Sequence, residues 1–265
     1  MPTRGHVHFS GCAIVALTVA VLAVASAYGG DAMPAQSAAT PNDPLARVRQ
    51  KMAEKKPVHI VCYGDSISEV GRSPRWCGGA KTPDAHWGAR LVALLAAEYP
   101  DAQFILHHFG IGGQNAYEGL GRLDGLAAFT PDLVFVEFGT NDVGYHFLLP
   151  EETGLAISTL VADIRARHHA DVVVMGTAGD NPLRAKFRHL DETIAATRKA
   201  AEERKVPFVD MRSAVLEATG HGERWAEFHL GADNCHPNDA GHALWARTVF
   251  DVLRPLLAPA SSHAK

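Results

Sequence analysis

The stretch Val58-His59-Ile60-Val61-Cys62-Tyr63-Gly64-Asp65-Ser66-Ile67-Ser68 decides the fold. Apart from His59, its first six residues are a short continuous apolar run, the pattern of a strand buried on both faces. The run passes directly into Gly64-Asp65-Ser66, a turn-forming polar cluster. Working outward, the same unit recurs. Phe104–Leu106, Asp132–Phe138, Asp171–Met175 and Pro207–Asp210 read as further strands. Between them the spacing predicts helices over about Leu45–Lys55, Ala85–Glu98, Ala116–Phe129, Glu151–His168, Leu183–Arg204 and Asn238–Leu256. Trp87, Leu91, Leu94 and Leu95 mark one face of the second helix, which makes Trp87 a core residue. Pro150 stands where helix starts favour proline. Strand–helix alternation of this kind implies an α/β fold, a parallel five-stranded sheet with helices on both faces.

The rest of the chain bounds the reading. It has 265 residues, a formal net charge of -4 and 47% hydrophobic residues, the balance of an ordinary globular protein. No clustered Lys and Arg occur, so nucleic acid is excluded as a partner. Arg4, the apolar run Ala13–Ala27 and its Ala25-Ser26-Ala27 ending read as a secretory signal peptide over residues 1–27. The run is short of the roughly 18–20 apolar residues that a spanning helix needs, so no stable membrane insertion is expected after cleavage. Residues 28–44 are rich in Ala, Pro, Gly and Asp and read as a flexible linker, followed by one domain over 45–260. The protein is therefore expected to be exported, to the periplasm or outside the cell.

In open α/β sheets, sites form outside the carboxyl ends of the strands. Four polar clusters fall there: Gly64-Asp65-Ser66-Ile67-Ser68, Gly110-Ile111-Gly112-Gly113, Gly139-Thr140-Asn141-Asp142 and, before the last helix, Asp233-Asn234-Cys235-His236. Each suits a step of acyl transfer. A serine hydroxyl is a weak nucleophile that needs a base, and His236 can take the Ser66 proton and return it to a leaving alcohol. Asp233 can hold the other imidazole nitrogen and fix the tautomer. The Ser66 amide, the Gly113 amide and the Asn141 side chain are the natural oxyanion donors, Gly113 because it lets the backbone approach closely. Asp65 and Asp142 read as structural residues. Of the fifteen histidines, only His236 carries a specific assignment, and most of the others are expected to be solvated.

These four blocks resemble the SGNH hydrolases, also called GDSL esterases and lipases. The third and fourth blocks match in full; Ile67 stands where the motif has leucine, and Gly112 where serine is frequent. The resemblance implies a flavodoxin-like three-layer α/β/α fold, no metal cofactor and hydrolysis of ester or related acyl bonds. The expected substrate is a short-acyl ester, small or carbohydrate-borne, such as a sugar acetyl group. An acyltransferase with the same residues, or a noncatalytic carbohydrate-binding protein on the same scaffold, are the alternatives. No G-x-S-x-G elbow occurs, which argues against the other large α/β esterase class.

Substrate contacts are weakly marked. Trp76 lies in the long segment after the nucleophile and Trp225 precedes Asp233; both could stack on a sugar or simply pack. Cys77 and Cys235 fall in loops near the proposed site, so a disulfide and two separate thiols both fit the sequence. Cys62, inside the first strand, reads as a buried thiol.

Overall fold

The computed structural model describes residues 43–72, 75–231 and 234–258. The expected signal peptide, most of the expected linker and Asp233 lie outside the described residues. Five strands form one parallel sheet: β1 (Val58–Gly64), β2 (Phe104–His108), β3 (Leu133–Glu137), β4 (Asp171–Met175) and β5 (Phe208–Val209). Their order is β2-β1-β3-β4-β5. Every pair is parallel. This is the doubly wound order in which the chain switches direction between β1 and β3, opening a crevice at their carboxyl ends. The nucleophile block follows β1 and the asparagine block follows β3, so both empty into that crevice.

Alternation along β1 sorts side chains to two cores. Ile60 and Cys62 join Phe135, Trp87, Leu91, Leu95, Trp245 and Val249 on one face. That layer is built by α1 (Ala46–Ala53), α2 (Trp87–Glu98) and the last helix, Asp239–Leu257. Val61 and Tyr63 join Val134, Val136, Leu160 and Ile164 on the other. There the covering helices are α3 (Ala116–Leu120), α5 (Pro150–His168) and α6 (Leu190–Glu203), with the short α4 (Thr140–Gly144) preceding α5. Trp87 and Trp245 are fully buried in the first core.

Two expected helices differ, and two short helices were not expected. The helix over Ala116–Phe129 breaks after Leu120 and resumes as a 3-10 segment, Leu123–Phe129. Gly121 is a weak helix former, and the next residue, Arg122, turns inward to bond the Phe109 and Gly64 carbonyls at 2.6 and 2.7 Å. The helix expected from Leu183 starts only at Leu190. Pro182–Arg184 forms a 3-10 turn, and Asp180 Oδ2 accepts the Lys186 and Phe187 amides, tying the chain into a loop. Two short helices, α7 (Met211–Ala218) and α8 (Trp225–Phe228), stand before the final helix, α9 (Asp239–Leu257), where none was expected. Asp210 caps α7 by accepting the Ser213 amide at 3.0 Å. Among the described residues, no helix is long and apolar enough to cross a membrane.

Candidate active site

Ser66 sits in a single tight turn beyond β1. Asp65 Oδ1 accepts the Ile67 amide at 2.9 Å and the Asp65 carbonyl accepts the Ser68 amide at 3.2 Å. The chain then makes a long excursion before α2. An antiparallel bridge between Val70 and Cys77 folds it back as a hairpin, and Trp76 Nε1 donates to the Ser66 carbonyl at 2.9 Å. From the far end of the chain, His236 arrives on a loop held by a second bridge, His229 to Pro237. Asn238 locks that loop to α9 by accepting the Ala240 and Gly241 amides and donating to the Glu227 carbonyl at 3.0 Å. The result brings Ser66 Oγ to 2.7 Å from His236 Nε2, across 170 residues of sequence. Trp76 stands edge-on to the imidazole, with centroids 5.0 Å apart.

These two residues open on a cleft of about 680 Å³, whose walls include Trp76, Glu69, Gly112, Gly113, Asn141 and Tyr145. Three donors converge on it. Among the described residues, nothing accepts from the Ser66 or Gly113 amides, whereas the Gly112 amide is already committed to Glu69 Oε2 at 2.5 Å. Of these two glycines, Gly113 thus keeps the uncommitted amide at the cleft. The reason for glycine at 113 is not close approach: a Cβ there would meet nothing within 4 Å, but its φ of +80° suits glycine alone among common residues. Close approach belongs to Gly110, where a Cβ would meet the Glu69 amide and Ser68 carbonyl carbon at 2.4 Å. Asn141 lies in the first turn of α4 and its Nδ2 donates to the Gln114 carbonyl at 3.0 Å and to Asp65 Oδ2 at 3.3 Å.

Behind the nucleophile turn stands a group of histidines. His86 Nδ1 accepts the Gly88 amide, so its Nε2 carries the proton and donates to the Ile67 carbonyl at 2.8 Å. His242 likewise accepts the Trp87 amide and donates to the Gly78 carbonyl, both at 3.1 Å. His108 hydrogen-bonds the Ser68 carbonyl. The His86 ring lies 4.6 Å from that of His108 and 5.0 Å from that of His242. Burial pushes all three below the usual imidazole range, His108 and His242 to about 4. They are neutral donors at physiological pH, three histidines to which the sequence assigned no role.

The structure therefore places Ser66, His236, Gly113 and Asn141 around one cleft, with Trp76 beside them. Trp225 is not. It is 3% exposed, stacks on His229 with centroids 3.9 Å apart and donates to the Asn234 carbonyl, so it braces the histidine loop from within. The Cys77–Cys235 disulfide is not formed: both residues are buried thiols, as is Cys62. Cys235 Sγ is directed instead to His236 Nδ1, 3.7 Å away, and Cys77 is fixed by its bridge to Val70. Sequence reasoning missed Glu69, Arg122 and Glu137. Glu137 carried a signal, a carboxyl ending an otherwise apolar strand; Arg122, whose guanidinium stacks 4.2 Å from the Tyr63 ring, carried none.

A serine paired with a histidine over convergent donors, at the switch point of a doubly wound sheet, defines a serine hydrolase of the flavodoxin-like type. Residues 62–244 match the GDSL-like Lipase/Acylhydrolase family, and the chain belongs to it, a class of serine ester hydrolases. Solved structures share the fold. A two-domain esterase (CEX) active on acetylated mannans superposes with a TM-score of 0.66 at 22% identity, covering 84% of this chain and 55% of that one. The chain thus spans about half the length of that esterase. A variant of Axe2, an acetyl xylan esterase from Geobacillus stearothermophilus, superposes at 0.59 with 26% identity, covering 75% of this chain and 94% of that one. LAE5, an alpha/beta hydrolase enzyme from the metagenome of Lake Arreo, Spain, does so at 0.62 with 24% identity, covering 75% and 96%. No curated protein matches the chain.

Proposed function

We propose that the protein is an exported esterase that removes a short acyl group, an acetyl borne by a carbohydrate, through a covalent acyl-enzyme. The observation that carries this reading is the 2.7 Å contact between Ser66 Oγ and His236 Nε2 inside the cleft. His236 takes the Ser66 proton as Oγ attacks the ester carbonyl. The Ser66 and Gly113 amides and Asn141 receive the developing oxyanion. His236 then passes the proton to the departing sugar hydroxyl, and a water activated by the same imidazole frees the acid. Asp233 is assigned the role of orienting Nδ1 on its spacing from His236.

One observation supports a small acyl group: Glu69, 2% exposed, lines the cleft next to Ser66, held there by the Gly112 amide on its Oε2, and so takes up space beside the nucleophile. Activity on acetylated mannans and xylan among the solved relatives supports the carbohydrate, and the apolar run ending at Ala27 supports export.

The test is hydrolysis of p-nitrophenyl esters of increasing chain length and of acetylated xylo- and manno-oligosaccharides. The wild type should cleave the acetyl esters best, and Ser66→Ala should lose at least about a thousandfold in kcat. A wild type inactive on every ester, or an equally active Ser66→Ala, would overturn the reading.

A further inference from the structure

A buried carboxyl pair lies beneath the nucleophile turn, and none of the acyl-transfer steps uses it. Glu137 closes β3 opposite Gly64 in the register of β1 and β3. Glu137 and Asp65 are both fully buried. Gly64 makes the room, because a Cβ there would meet Glu137 Oε2 at 2.7 Å and the Glu137 carbonyl at 2.3 Å. Glu137 Oε2 accepts from the Ser68 hydroxyl at 2.9 Å. Among the described residues, nothing donates to its buried Oε1. On Asp65, Oδ1 accepts the Ile67 amide and Oδ2 faces the Asn141 amide nitrogen at 3.3 Å.

Two buried carboxyls in contact do not both ionise; one proton between them is the low-energy state. The surrounding charges do not change this. Asp142 faces Asp65 from α4 and opposes its ionisation, Arg122 favours it from the segment after α3, and the Cys62 thiol lies near Glu137 on β1. Burial first raises both carboxyls; the Asp142 charge adds to it at Asp65, which reaches about 7 even though hydrogen bonds with Ile67 and Glu137 lower it, and the Asp65 charge adds to it at Glu137, which stands well above the ordinary range. The retained proton is therefore assigned to Glu137, turned toward the Asp65 carboxylate, which also accounts for the orphaned Oε1.

We propose that Glu137 and Asp65 are a one-proton positioning pair for the oxyanion hole, in which Glu137 donates to Asp65 and Asp65 fixes the Asn141 amide with its nitrogen as the end that serves the cleft. The inference rests on the esterase reading. An amide end that faces two acceptors, Asp65 Oδ2 and the Gln114 carbonyl, must be the NH2 end. The Gln114 carbonyl takes one hydrogen. The other is shared between Asp65, at the long distance of 3.3 Å, and the oxyanion as charge develops. Loss of the shared proton would place a second negative charge under the oxyanion and draw that hydrogen away from it. Neither residue touches substrate; both act through Asn141.

The experiment compares the wild type, Glu137→Gln and Glu137→Ala on p-nitrophenyl acetate from neutral to alkaline pH. Glutamine keeps a donor for Asp65 and an acceptor for Ser68, but has no proton to lose. The wild type should lose kcat toward alkaline pH; Glu137→Gln should keep kcat within about threefold of wild type at neutral pH, with KM unchanged, and should lack that alkaline fall. Glu137→Ala should lose roughly 10- to 100-fold in kcat. An alkaline fall identical in Glu137→Gln, an equal loss in both variants, or losses confined to KM would overturn the proposal. A second readout needs no turnover. The infrared difference between wild type and Glu137→Gln at neutral pH should contain a protonated-carboxyl band, and its absence would sink the pair. If the band is present but no ester is hydrolysed, the esterase reading fails and the role of the pair in an oxyanion hole falls with it, while the shared proton stands.

Discussion

Two polar clusters grip the same turn by opposite chemistry. The histidines His86, His108 and His242 donate, to the carbonyls of Ile67, Ser68 and Gly78. The carboxyls Asp65 and Glu137 accept, from the Ile67 amide and the Ser68 hydroxyl. Ile67 and Ser68 are thus held from both sides, and Ser66 protrudes between them toward the cleft. Burial suppresses charge in both clusters, but it does so by withholding protons from the bases and retaining one on the carboxyl pair. The comparison teaches that only one of the two reaches the chemistry. The carboxyls connect to Asn141, whereas the histidines stop at the backbone of the turn and the hairpin.

That distinction can be broken at either end. The largest effect is expected at Asn141, where the carboxyl side meets the cleft. Asn141→Ala should lower kcat by about 10²–10³-fold, as removal of one oxyanion donor does, beyond the stability cost of the Gln114 carbonyl and Asp65 that it leaves unmatched; a loss confined to stability would contradict the division. On the other side, His86→Ala should show mainly a stability defect. It leaves the Ile67 carbonyl and Gly88 amide unmatched in a buried site, worth roughly 2–4 kcal/mol by denaturant unfolding.

The same division sharpens in pH dependence. The histidines have folded values below the unfolded value of about 6.5. Their contribution is fully present above about 6.5 and is lost as pH falls through about 4, the folded value of His108 and His242. Asp65 is raised to about 7, so its contribution is present below its unfolded value of about 3.9 and is lost as pH rises through about 7. Melting temperatures should therefore drop on the acid side, and replacing His242 by an apolar residue should flatten that drop while leaving the alkaline side unchanged. The smallest effect is expected at Trp225. Trp225→Phe keeps the stack on His229 but loses the bond to the Asn234 carbonyl, a change of about 1 kcal/mol in stability with unaltered KM. A raised KM would return Trp225 to the substrate.

Much of this was legible in the sequence because buried parallel strands leave a simple trace. Every expected strand is present, and the clusters after β1, β2 and β3 meet where the sheet reverses direction. The helices were less legible. Nothing local in Leu183–His189 announces that Asp180 will hold the following amides and delay α6. Arg122 breaks the pattern after α3 because of carbonyls that belong to distant strands. The site was legible where a side chain reacts and illegible where it supports. Ser66, His236 and Asn141 stand in recognisable blocks, whereas Glu69 is identified only by the Gly112 amide it reaches. The buried histidines look like any others in the sequence, since their tautomers are set by amides and carbonyls brought near only by folding.

The hairpin that follows the nucleophile has an optical consequence. By folding back to bond the Ser66 carbonyl, it places the Trp76 indole edge-on against His236, 5.0 Å between centroids. An imidazolium quenches indole emission on contact, and an imidazole does so far less. The other three tryptophans are buried, and Trp225 stacks on His229 rather than on His236. On the proposed mechanism, Trp76 is therefore a built-in fluorescent indicator of whether His236 holds a proton, read without a label.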